Sequence, residues 1–107
     1  MMIRSWRAKA TLTQAQAYAR HLSEHVVPAL ERIEGYCGAT LLRQDRGDSV
    51  ELVVLTRWAS MAAIRRFAGE NPQVAVVEPA AQAILSEYER TVTHYEVVLD
   101  AVPTTGS

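Results

Sequence analysis

Cysteine, glycine, proline and net charge are all scarce in this sequence, and each scarcity removes a class of protein. One cysteine, Cys37, permits no intrachain disulfide and no cysteine-based zinc site, and it points to a reducing compartment. Five glycines and four prolines in 107 residues are too few for a low-complexity chain. Eleven Lys and Arg against twelve Asp and Glu leave no surplus charge for a phosphate backbone or an anionic membrane. No apolar run approaches the roughly 18 residues of a membrane span. The opening Met1-Met2-Ile3-Arg4-Ser5-Trp6-Arg7 lacks the continuous apolar core of a secretion signal. The expectation is a soluble cytoplasmic protein with neither nucleic acid nor membrane as partner.

The remaining composition is that of an ordinary globular protein, 49% hydrophobic and 21% charged. The length suits one domain, placed at residues 1–100, large enough to bury a core without cross-links. The tail 101–107, built of Pro, Thr, Gly and Ser after Ala-Val, reads as disordered.

The pattern predicts a strand over Met2–Ala10, then a helix opened by a Thr13/Gln16 capping box. Tyr18, Leu22, Val26, Ala29 and Ile33 form its apolar stripe, Pro28 kinks it, and Gly35 ends it. A hairpin comes next, Tyr36–Arg43 with Val50–Trp58, joined through Asp45-Arg46-Gly47-Asp48. Ser60 caps a short helix carrying Met61, Ile64 and Phe67, which Gly69 ends, and Asn71-Pro72 marks a turn. Pro79 begins another helix with Ile84, Leu85 and Tyr88 inward, and a last strand runs from Thr91 to Leu99.

The order β-α-β-β-α-β is that of a ferredoxin-like α+β sandwich with an antiparallel sheet. Its hairpin is apolar on both faces: Val50, Leu52 and Val54 on one, Val53 and Leu55 on the other. A sheet covered on one side alternates cleanly, so the second face needs a cover, and a second copy of the chain is the simplest one. A homodimer is therefore expected.

Several motifs have a plainer explanation than their chemistry. His21-Leu22-Ser23-Glu24-His25 matches H-x-x-E-H, but His21 and His25 fall on the flank of the apolar stripe and no third metal ligand is evident. Arg46-Gly47-Asp48 is what a tight hairpin selects. Cys37, at a strand start, reads as a buried small hydrophobe, and Arg65-Arg66 as a solvated helix face. A more telling set is Trp6, Trp58, Phe67, Tyr88, His94 and Tyr95. In a ferredoxin-like sheet the first strand lies beside the last, so Trp6 comes near His94. These residues are either core packing or the lining of a pocket for a flat aromatic or apolar molecule.

Trp6 on the first strand, Val27-Pro28-Ala29-Leu30 to Gly35, Leu55-Thr56-Arg57-Trp58-Ala59-Ser60 into Ile64-Arg65-Arg66-Phe67, and His94-Tyr95-Glu96-Val97-Val98 resemble the antibiotic biosynthesis monooxygenase family. The resemblance covers residues 2–99 and implies ferredoxin-like chains paired into a dimeric α/β barrel. It implies an oxygenase acting on a phenolic small molecule with molecular oxygen and without flavin, haem or metal, so no cofactor is expected. On this reading His94 is the base or oxyanion partner, and Trp58 walls the pocket or donates to a substrate oxygen. Trp6, Phe67 and Tyr88 contact the ring. Relatives that degrade haem use a first-strand asparagine, a tryptophan and an axial histidine. Here the first strand has Trp6, Phe67 stands near the tryptophan position, and Gln73–Pro79 contains no histidine. A non-catalytic binding protein of the same fold, or an isomerase or cyclase acting on a similar ring, is the alternative.

Overall fold

The computed structural model describes residues 1–104. Strand β1 (Met2–Thr11) passes without a loop into α1 (Leu12–His21), a π-helical turn (Leu22–Val26) and α2 (Val27–Leu30). The hairpin β2 (Tyr36–Arg46) and β3 (Ser49–Trp58) comes after it, then α3 (Met61–Ala68), α4 (Pro79–Ile84), and short strands β4 (Glu87–Tyr88) and β5 (Thr93–Glu96). The sheet is antiparallel in the order β2-β3-β1, with β4 and β5 both on the free edge of β1. This is the expected ferredoxin-like α+β arrangement. No helix among the described residues is long and apolar enough to cross a membrane.

The strand-to-helix switch at Thr11 is sharper than the capping motif suggested. Thr-x-x-Gln occurs twice in overlap, and the box closes on Thr11 and Gln14, not on Thr13 and Gln16. Thr11 is still paired to Ser49 in the sheet, so the first available Thr marks the turn. The stripe also changes. Tyr18, Leu22 and Leu30 are buried and Ala29 is exposed. The wider π turn stretches the repeat to steps of four, from 18 through 22 and 26 to 30. It ends two residues before Pro28, the second residue of α2, so the wider winding sits where the proline takes an N–H out of a continuous helix.

The hairpin strands run to a two-residue turn in which Gly47 supplies a φ of +68°. Val50, Leu52, Val54, Thr56 and Trp58 face the helices and are all buried. A bulge between Tyr36 and Gly38 puts Tyr36 opposite Trp58 and leaves Cys37 exposed, not buried as its setting suggested. Helix α3 is capped by Ser60 and stopped by Gly69 as expected. Helix α4 ends at Ile84 and buries Ala81, with Leu85 beyond it, so Tyr88 belongs to a strand and not to the helix. The last strand expected over Thr91–Leu99 is shortened to β5, Thr93–Glu96, and β4 is a separate short strand ahead of it. Between them the chain leaves β1 to meet the segment 71–78, through Ala75 N–H to Arg90 O, Val92 N–H to Gln73 O and a Val74/Thr91 bridge. Of the tail expected to be disordered, 105–107 lies outside the described residues, and 101–104 forms no helix or strand.

Two clusters fill the space between sheet and helices. One joins Ala8, Ala10, Tyr18, Leu22, Val50, Leu52 and Leu85, and the other joins Leu30, Trp58, Ala63 and Ile64.

Candidate functional site

At the seam of the two clusters lies a cavity floored by Arg4 and Trp6 of β1 and by Val54 and Thr56 of β3. Tyr18, Leu22, Val26 and Leu30 form one wall, Phe67 of α3 another, and Val76, Val77 and Glu78 close it. Its volume is about 60 Å³. Ligand pockets for drug-sized molecules measure ~300–1,000 Å³, so the cavity in this conformation is smaller than a ring-sized ligand needs. A larger and more open groove is lined by Ala8 and Tyr88 together with Arg7, Lys9, Glu51 and Glu87, whose charges are paired across it (Arg7–Glu51 3.8 Å, Lys9–Glu87 3.7 Å).

The aromatic residues divide around this cavity. Trp6 packs on Tyr18 and Tyr88 at ring separations of 6.1 and 6.3 Å, and its indole N–H donates to Glu89 O at 2.7 Å. Trp58 is wholly buried, stacked on Phe67 at 5.6 Å and edge-on to Tyr36 at 5.5 Å. Its N–H donates to Thr56 Oγ1 at 2.8 Å, so the indole stands behind Phe67 with its donor occupied. Trp6 and Phe67 thus line the cavity, Trp58 supports it, and Tyr88 packs on the far side of Trp6. Tyr95 pairs with Ile3 on the opposite face of the sheet and is 56% exposed.

Arg4 was not among the residues singled out from the sequence. Its alternation with Trp6, Ala8 and Ala10 is the signal that it points inward. It is 4% exposed, and no ion pair engages it among the described residues. The guanidinium donates to Pro72 O, to Val74 O at 2.9 Å and to His94 Nε2 at 3.1 Å, and it lies over the Phe67 ring at 5.6 Å. Burial lowers its pKa to about 10. His94 sits opposite Arg4 in the β1–β5 pairing, one residue back from the cavity. Because arginine can only donate, Nε2 is the acceptor and Nδ1 carries the proton. Burial first, and the Arg4 charge second, push the imidazole below its ordinary pKa, so it is neutral at pH 7.

His21 Nε2 lies 3.4 Å from Glu78 Oε2, while His25 and Glu24 are exposed. The described residues contain no group of three or more potential ligands placed to hold a metal.

A family model described as antibiotic biosynthesis monooxygenase matches residues 1–84. The chain belongs to that family. No protein of curated function matches it. Among solved structures, the fold is shared with the ActVA-Orf6 monooxygenase of Streptomyces coelicolor, solved with nanaomycin D (14% identity, TM-score 0.69, 96% of this chain and 92% of that one). It is shared too with the haem-degrader MhuD of Mycobacterium tuberculosis (23%, TM-score 0.57, 94% and 99%). A third is SnoaB, a cofactor-independent oxygenase of Streptomyces nogalater (16%, TM-score 0.54, 92% and 95%). At these identities the likeness establishes the fold of this family member, and its chemistry rests on its own residues.

Proposed function

We propose that this member of the family is a cofactor-independent monooxygenase acting on an aromatic phenol. The observation that carries the reading is an apolar, aromatic-walled cavity lined by one buried cation, Arg4, which donates to a neutral imidazole, His94, just behind it. Oxidising a phenol to a quinone with O₂ needs no outside reductant. The O–H and the ring C–H both become C=O, one oxygen atom enters the ring, and the other leaves as water.

The barrier lies in making the electron-rich phenolate and in keeping water from the reactive intermediates it forms with oxygen. His94 Nε2 accepts the hydroxyl proton once the substrate oxygen replaces Arg4 there. The displaced Arg4 N–H then faces the phenolate oxygen and stabilises it in a low-dielectric setting. Trp6 and Phe67 sandwich the ring, and Trp58 holds Phe67 from behind.

The unit is proposed to be a homodimer. Ile3, Leu42, Val53, Leu55 and Tyr95 occupy the sheet face away from the helices, with Leu42 46% exposed. Val98, Leu99 and Val102 beyond β5 are exposed as well. A second sheet set against this face covers it.

Oxygen uptake by metal-free protein with dihydroxynaphthalenes and anthrone-like phenols tests the reading. Uptake that falls in His94→Ala supports it. Absence of uptake while the same compounds quench Trp6 fluorescence identifies a binding protein instead.

A further inference from the structure

An arginine buried without a carboxylate is an incomplete arrangement, because the charge has lost its water and gained only neutral acceptors. Arg4 has five N–H bonds. Three are used, two on Nη1 toward Pro72 O and His94 Nε2 and one on Nη2 toward Val74 O. Nε–H and the second Nη2–H have no partner among the described residues. A guanidinium presents paired donors of this kind to a carboxylate in a two-pronged contact that a single phenolate oxygen cannot satisfy. Glu78, the other charged residue on the cavity wall, is turned to His21 and makes no ion pair with Arg4.

We infer that the substrate is an aromatic hydroxy acid, whose carboxylate is held by the Nε and Nη2 donors of Arg4 while its ring lies against Phe67 and Trp6. This rests on the reading of the cavity as the ligand site and goes beyond it by naming the charge the ligand carries. Arg4 then has two tasks. It anchors a permanent negative charge in the ground state, and it leaves Nη1 for the oxygen that ionises beside His94. A ligand without the carboxylate leaves the buried guanidinium charge without an anionic partner, which is the basis of discrimination.

Calorimetric titration at neutral pH with 3-hydroxy-2-naphthoate and with its methyl ester reads this directly. The acid is expected to bind about tenfold or more tightly than the ester, as a charge-assisted pair in a desolvated site requires. The preference should vanish in Arg4→Met and survive in weakened form in Arg4→Lys, which keeps the charge without the paired donors. If Arg4→Met does not fold, the acid–ester ratio in the unmodified protein and in Arg4→Lys decides the matter. Equal binding of acid and ester, no binding of the acid, or a preference that persists in a folded Arg4→Met overturns the inference. Arg4-dependent binding of the acid without oxygen uptake leaves the carboxylate site standing and removes the oxygenase. Uptake with neutral phenols alone does the reverse.

Discussion

Gly35 offers the most demanding test of how the cavity wall is held. It lies in the turn between α2 and β2 at a φ of +93°, and a Cβ added there would stand 2.5 Å from the Cβ of Ala63 in α3. Gly35→Ala therefore meets two separate costs. A positive φ costs an L-residue about 1–2 kcal/mol. Forcing a methyl against a fully buried neighbour adds about 1–3 kcal/mol. Together they predict a loss of about 3 kcal/mol, measured as a lower urea midpoint with an unchanged slope. Ala63→Gly alone costs about 1 kcal/mol from helix propensity. In the double variant the collision is gone but the φ strain remains, so the two changes should be non-additive by about 1–3 kcal/mol in the stabilising direction. Loss of less than about 1 kcal/mol in Gly35→Ala, or strict additivity in the cycle, would refute the reasoning. Since α3 carries Phe67, the same variant should also weaken ring binding.

The histidine sets an acid limit. The folded pKa of His94 lies below its ordinary 6.5, so as pH falls beneath 6.5 the unfolded chain takes up the proton first and stability declines until the folded ring titrates too. His94→Gln should flatten that part of the stability–pH curve, and an unchanged curve would remove the burial argument. Trp58→Phe should cost about 2–3 kcal/mol by losing the Thr56 hydrogen bond and leaving a void behind Phe67, again by urea titration. A change within about 0.5 kcal/mol would show that the indole is not packed as described. Haemin should produce no Soret shift dependent on His94, because Nε2 already accepts from Arg4; a shift lost in His94→Ala would favour the haem-degrading relatives. Leu55→Asp should convert a dimer to a monomer in sedimentation velocity, and a wild-type chain that sediments as a monomer would remove the dimer.

The fold was legible because its elements obey local rules. Ser60 and Gly69 bracket α3, and Val50 through Trp58 alternate with the period of a half-buried strand. The features that stayed hidden depend on partners distant in sequence. The break between β4 and β5 exists because 90–92 turns to bond the segment 71–78, and no local pattern announces that pairing. Cys37 is exposed because a bulge shifts the strand around it. In the site, Trp6, Phe67 and His94 stood out by residue type, whereas Arg4 looked like an ordinary surface cation. Only strict alternation with Trp6 marks it as inward. Trp58 was placed at the correct strand end, but the occupation of its N–H by Thr56 is a matter of side-chain geometry.

The π turn at Leu22–Val26 amounts to one surplus residue carried inside a helix. An α-helix turns about 100° per residue, so a chain of the same length wound as regular α through this point would present everything after it rotated by that angle. Ala29 would then face inward where Leu30 now stands, and the wall beside Trp6 and Phe67 would recede by the difference between the two side chains. Losing a residue such as Ser23 would instead absorb the surplus, leaving Leu30 in place on an unbroken α-helix. The bulk of that wall is thus set by how the backbone winds several residues upstream, and a relative can alter the space offered to a ligand by changing the winding while keeping every residue that lines the cavity.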